Sequence, residues 1–344
     1  ACSGPEKTEY THAIPANVTE VAALNCQALA QKAGLGDAGN EAAKQKLMAA
    51  LMDGTTPALA KQLEVILKDP AETGIDWSAP VYIFRAPSLH DVAQVAKVND
   101  LSKLETLLGL LAEEKVCSAP EKADGYQTVQ ILNAGYQFAF NDGTLLITAG
   151  SPEQMKKLKP AITALMKQPA DQSINVHKDY KQMMQQKGDI RFLASPSALP
   201  SEVRGVLTWP QGEQLLGNIQ FEKGSIQATL QRAGFNGKTA ESDQPTHPKS
   251  LAELQQTMLR IMHGTPFNLE LTREELMTLS NLRILLEYAP DEPQVQALYQ
   301  AILLIKTLTA RGDNNRTVLT LHLEDNQRNA LKQAVDFAKK LVGF

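Results

Sequence analysis

Leu145-Leu146-Ile147-Thr148, running into Ser151-Pro152-Glu153-Gln154-Met155-Lys156-Lys157-Leu158, is the stretch on which the fold reading turns. A short apolar run with β-branched residues reads as a strand. Ser151 followed by Pro152 is a capping residue with proline at the first helical position, and Met155 and Leu158 begin an apolar stripe at helical spacing. The same grammar returns near the C-terminus in Leu319-Thr320-Leu321-His322 and Asp325-Asn326-Gln327-Arg328-Asn329-Ala330-Leu331-Lys332. Each stretch is a hairpin strand, a capped turn and an amphipathic helix. Asn141-Asp142-Gly143 joins strands at 136–140 and 144–148, and a second hairpin pairs 305–310 with 317–323. Hairpins make antiparallel sheets, and helices flanking them give an α+β class. The expected architecture is two related units, each an antiparallel sheet with hairpins covered by helices. Internal duplication and chance recurrence of a common strand–turn–helix pattern both remain open readings of the likeness.

Outward from these anchors, strands are predicted at 19–24, 81–84, 126–132, 190–194, 206–208, 217–221 and 225–231. Helices are predicted at 27–33, 40–52, 56–68, 89–98, 101–114 and 151–167, with a kink or break at Pro160. Further helices are expected at 179–186, 250–263, 273–288 and 295–302, and a last one capped by Asp325 and running to 342. Pro169-Ala170-Asp171-Gln172 ends the kinked helix and marks a boundary. The domain reading is a tether at 1–12, a first α+β unit at 13–170 and a second at 171–344.

Composition bounds the function classes. At 344 residues, 43 % apolar and 21 % charged, the chain has the profile of a globular protein. No apolar run reaches the roughly 18 residues that a membrane span needs. A net charge of −4 with dispersed basic residues gives no nucleic-acid footprint, so no nucleic-acid partner is expected. Lys156-Lys157-Lys159 reads as a solvated helix face. Of three cysteines, Cys26 and Cys117 leave two readings open, a disulfide in an oxidising compartment or two buried thiols.

Several motifs yield to plainer explanations. Gly34-Leu35-Gly36-Asp37-Ala38-Gly39 matches the dinucleotide pattern letter for letter, but a helix rather than a strand precedes it, so a helix stop is expected. Arg311-Gly312-Asp313 sits at a hairpin tip, where Gly, Asp and the following Asn residues serve a turn. Asn17-Val18-Thr19 and Asn315-Arg316-Thr317 fit the glycosylation sequon incidentally. Histidines 12, 90, 177, 247, 263 and 322 are scattered without metal-ligand spacing. Trp77 and Trp209 adjoin proline-containing loops and read as loop anchors before ligand platforms. No residue is assigned a catalytic, cofactor-binding or metal-ligating role, and no cofactor is expected.

Ala1-Cys2-Ser3-Gly4 reads as the start of a mature bacterial lipoprotein, with Cys2 as the lipidation site after signal cleavage. The polar residues that follow cannot pack a core; extended, they and their neighbours reach roughly 30 Å from a lipid surface. Each buried acyl methylene contributes about 0.8 kcal/mol, and stable anchoring takes more than one chain.

Tyr10-Thr11-His12-Ala13-Ile14-Pro15-Ala16-Asn17-Val18-Thr19-Glu20-Val21, then Leu29-Ala30-Gln31-Lys32-Ala33-Gly34-Leu35, resembles the opening of domain-of-unknown-function family 4836, envelope lipoproteins of Bacteroidetes. Asn329-Ala330-Leu331-Lys332 is similar to that family's C-terminal helix. The resemblance implies an acylated N-terminal cysteine and a cell-envelope address; it implies no activity. The functional expectation is a non-enzymatic binding or assembly module of the envelope, partnered by the membrane through its lipid and by an envelope protein. The alternative is a hydrolase of envelope or dietary polymers whose site forms only on folding. Outer-membrane anchoring is expected, with the periplasmic or surface face left open.

Overall fold

The structure is a computed structural model that describes residues 9–36, 45–46, 49, 54–89, 91–132, 134–196, 213–238, 240, 242, 244–262, 265–313 and 315–342. The predicted strand at 206–208, most of the helix at 40–52, Cys2, His90, His263 and Trp209 lie outside these residues. The chain divides into two compact units, residues 1–28 with 36–181, and residues 29–35 with 182–344.

The first unit begins with a 3-10 turn, Tyr10–Ala13, then β1 (Glu20–Leu24) and α1 (Cys26–Lys32), whose last residues fall in the second unit. It continues with α2 (Pro57–Lys68), β2 (Val81–Arg85), β3 (Ala93–Lys97) and α3 (Leu101–Glu113). There follow β4 (Glu121–Lys122), β5 (Gln127–Ile131), β6 (Tyr136–Phe140), β7 (Thr144–Ala149) and α4 (Pro152–Met166). The strands pair antiparallel in the order β1-β2-β3-β7-β6-β5-β4.

Register fixes which side chains share a face, because successive residues of a strand point to opposite sides. Val21, Ala23, Tyr82, Phe84, Ala93, Val95 and Leu146 share one face and are buried. On the other, Ala96, Val129, Phe140 and Leu145 pack with Leu104 and Leu108 of α3. Residues 171–181 stay with this unit: Pro15 bridges Ser173, and Tyr82 Oη meets Tyr180 Oη at 2.8 Å in a buried pair. Burial drives the Tyr10 and Tyr180 phenols far above their ordinary range.

The second unit takes up α5 (Lys178–Gln185), which starts in the first, and continues with β8 (Ile190–Ala194), β9 (Leu215–Glu222), β10 (Ser225–Arg232) and α6 (Leu251–Met262). Then come β11 (Phe267–Thr272), α7 (Arg273–Leu279), α8 (Leu282–Tyr288) and α9 (Pro293–Leu303). The unit closes with β12 (Ile305–Gly312), β13 (Arg316–Leu323) and α10 (Ala330–Val342). Its strand order is β8-β9-β10-β13-β12-β11, again antiparallel. In both units three strands pair in succession, and the later strands, four in the first unit and three in the second, return so that the last pairs with the third. A helix follows that last strand in each. The α+β class and the antiparallel sheets are as the sequence indicated.

Strands β4 and β11 are not foreseen in the sequence reading, and four further elements differ from it. Residues 93–97 form β3 instead of a helix: Ala93 and Val95 are fully buried, and pairing with both β2 and β7 overrides a pattern compatible with either period. The helix expected at 273–288 divides at Asn281, whose left-handed backbone (φ 53°) ends α7 and starts α8. Helix α4 passes unbroken through Pro160. Burying Met155, Leu158, Ile162 and Leu165 at about 1.5–3 kcal/mol each outweighs the roughly 3 kcal/mol cost of an internal proline. The terminal helix starts at Ala330: the Asp325 carboxylate instead accepts the Gln327 and Arg328 N–H groups at 2.9 and 3.2 Å, and Asn329 Oδ1 accepts Leu331 N–H.

Candidate docking surface

Strand β11 passes directly into α7 through a capping box. Thr272 Oγ1 accepts the Glu275 N–H at 3.3 Å, and the Glu275 carboxylate accepts the Thr272 N–H at 2.7 Å. Burial would raise the Glu275 pKa, but these hydrogen bonds and His247, 3.5 Å away, hold it below the ordinary carboxylate range. The box fixes the start of a helical lobe, α7 to α9, inserted between two strands of one sheet. Its own small core is Leu282, Val295 and Ile302, with Met277, Leu286 and Tyr299 packed against them.

Helix α8 is Leu282-Arg283-Ile284-Leu285-Leu286-Glu287-Tyr288. At 100° per residue, Leu282 and Leu286 lie on one side and turn into the lobe core. Ile284 and Tyr288 lie on the far side with Leu285 on the flank next to Tyr288, and Ile284, Tyr288 and Leu285 are 53, 84 and 41 % exposed. A helix apolar on both sides is ordinarily buried on both. Covering the exposed half of Ile284 and Leu285 would contribute on the order of 1 kcal/mol each. Arg283 pairs with Glu274, while Glu287, Asp291 and Glu292 are exposed and form no ion pair among the described residues. The arrangement is an exposed apolar helix side with unpaired carboxylates close by in the chain, the chemistry of a binding surface.

A smaller exposed group, Val116 and Leu132, lies in the first unit, where Leu132 N–H donates to the Val116 carbonyl. It sits at a strand end and lacks a helical face.

The features weighed in the sequence take definite places. Gly34 and Leu35 close α1 through N–H bonds to the Gln31 and Ala30 carbonyls, which is the helix stop; residues 37–39 lie outside the described chain. The Asp313 carboxylate is buried and accepts N–H bonds from Asn315 at 2.8 Å, Arg316 at 3.2 Å and Ala240 at 3.0 Å. Gly312 adopts φ 135°, and a Cβ there would lie 2.0 Å from the Arg316 carbonyl oxygen. Arg311-Gly312-Asp313 is therefore the end of β12 leading into its hairpin loop, with its acid consumed by the backbone. Trp77 Nε1 donates to the Pro70 carbonyl and to Thr73 Oγ1, both at 3.1 Å, anchoring its loop. Cys26 and Cys117 are free thiols, and burial raises the pKa of each. Lys156, Lys157 and Lys159 lie on the exposed side of α4.

No sequence-assigned residue falls on α8, and Cys2 lies outside the described residues. The signal was present: Leu282-Arg283-Ile284-Leu285-Leu286 holds more apolar residues than one buried stripe can use.

A family model described as "Domain of unknown function (DUF4836)" matches residues 10–239. The match spans the first unit and the strands to β10, and ends before α6; the C-terminal likeness at Asn329–Lys332 lies beyond it. No curated protein matches the chain. Solved structures of TP0453 are similar at 8–9 % identity. Crystal form I has a TM-score of 0.39, covering 98 % of this chain and 99 % of that one. Crystal form III has 0.38, covering 97 and 99 % at 9 % identity.

Proposed function

The chain belongs to the family described as Domain of unknown function (DUF4836), and from that membership we propose that it is a non-enzymatic binding or assembly module of the cell envelope. In this reading an acylated Cys2 holds the body at the outer membrane, and the folded units present a surface to an envelope protein. The observation that carries it is the outer side of α8, where Tyr288 is 84 % exposed beside Ile284 and Leu285. Scattered exposed apolar residues are ordinary, but a contiguous helical face of them supports a docking role. The coincident strand successions support the further reading that the units arose by duplication.

The test places a photo-crosslinking side chain at position 288 of the full-length lipoprotein in native membranes. A discrete adduct with an envelope protein is expected, lost when Ile284→Ser is added. Cys2→Ala should move the protein from the detergent phase to the aqueous one. Absence of any adduct, or equal partitioning of both forms, would defeat the corresponding part of the reading.

A further inference from the structure

Resting on that binding-module reading, we infer that the outer side of α8 receives a basic amphipathic helix of a partner protein. Three observations converge on this chemistry. The patch is apolar and narrow: Ile284, Leu285 and Tyr288 occupy positions i, i+1 and i+4 of a helix about 10 Å long. One crossing helix, itself about 10–12 Å across, covers such a footprint. The chain around the patch is acidic: Glu287 precedes Tyr288, Asp291 and Glu292 follow it by three and four residues, and all three are exposed with no ion pair among the described residues.

The local cation, Arg283, is already held by Glu274 and cannot neutralise those carboxylates. A partner helix with an apolar stripe flanked by Lys or Arg satisfies both halves of the surface at once. An anionic bilayer would bury the patch but meet three carboxylates of its own sign. A second copy of α8 would face the same repulsion. Charge complementarity therefore selects the basic helix.

The test uses the full chain with an 18-residue amphipathic Lys/Leu peptide, its Glu/Leu counterpart, and a Lys/Leu peptide with the stripe scrambled. Vesicles of phosphatidylcholine, with and without phosphatidylglycerol, complete the set. Peptide binding is followed by calorimetry across a salt series. The striped Lys/Leu peptide should bind at least about tenfold tighter than either other peptide. Tyr288→Ala and Ile284→Ser should each weaken it about tenfold. Glu287→Gln with Asp291→Asn and Glu292→Gln should weaken it similarly and flatten the salt dependence. Tyr136→Ala, an exposed tyrosine in the first unit, should change nothing, and circular dichroism confirms that each variant is folded.

Equal binding of the Glu/Leu peptide overturns the inference. So does vesicle binding, or concentration-dependent dimerisation, that Tyr288→Ala abolishes. If position 288 crosslinks in membranes while the basic peptide fails to bind, the partner chemistry is wrong and the binding-module reading stands. If position 288 gives no adduct, the broader reading fails instead.

Discussion

In the first unit Val21, Tyr82, Phe84, Val95 and Leu146 line one face of the sheet, Ala96, Val129, Phe140 and Leu145 line the other, and both faces are buried. The second unit follows the same strand succession with different chemistry. Leu269, Ala310 and Leu308 share a face with Leu319 and Ile219, while the opposite face carries Asn218, Gln220, Gln227, Thr229, Thr309, Thr320 and Arg311. Strands such as Val81-Tyr82-Ile83-Phe84 run apolar throughout, whereas Ser225-Ile226-Gln227-Ala228-Thr229-Leu230 alternates, and its polar face is covered all the same, with Asn218, Thr229, Thr309 and Thr320 buried. Topology thus leaves the number of hydrophobic faces open, and the strand sequence decides it. The return strands differ too: β5 and β6 are joined by residues 132–135, whereas β11 and β12 are separated by the whole α7–α9 lobe. The exposed patch belongs to that insertion.

The largest expected effect lies in the doubly apolar sheet. Phe84→Ala should cost about 3–5 kcal/mol in denaturant unfolding, whereas Gln227→Ala, on the polar face of the second sheet, should cost under about 1 kcal/mol. Similar losses at both would erase the contrast between the units. Next is the lobe's own core: Leu282→Ala should destabilise by about 2–5 kcal/mol. Hydrogen exchange should show the loss in α7–α9 before β12 and β13, and uniform deprotection would show that the lobe is not a separable layer.

Capping comes third and compares like with like. Ser151→Ala and Thr272→Ala each remove the N-cap of a capping box, and each should cost about 1 kcal/mol. A much larger loss at Thr272 would mean that this box holds the lobe as well as its helix. The smallest effect is electrostatic. A hydrogen bond from Ser78, with help from Lys97, lowers the Asp76 pKa. A depressed folded-state carboxylate stabilises above its unfolded pKa and loses that contribution as pH falls through the folded value. Asp76→Asn should therefore flatten the acid limb of the stability curve below about pH 4 and leave neutral pH less stable. An unchanged acid limb would remove Asp76 from the account.

Local chemistry made much of this fold legible. Asn141-Asp142-Gly143 and Glu222-Lys223-Gly224 located hairpins, and Ser151-Pro152 and Thr56-Pro57 located helix starts, because each demands particular backbone angles. Tertiary pairing hid β3, where 89–98 suits either period, and β11 was overlooked between helices although Phe267, Leu269 and Leu271 alternate cleanly. Asn281 looked like an ordinary helical residue, since nothing local announces a left-handed break. The docking face escaped for a related reason: apolar periodicity shows that a side is greasy, and only the folded lobe shows which side remains uncovered.

One modest bridge has a consequence for how densely such molecules can be crowded. Thr246 runs parallel to the outer side of β11, its N–H donating to Asn268 and its carbonyl accepting from Glu270 at 2.7 and 3.1 Å. An open strand edge is a template onto which a neighbouring chain can polymerise. At β11 the Asn268 carbonyl and the Glu270 N–H are already engaged, so an incoming strand would have to strip residue 246 away before pairing there. A short stretch of loop thus acts as a guard against edge-to-edge aggregation.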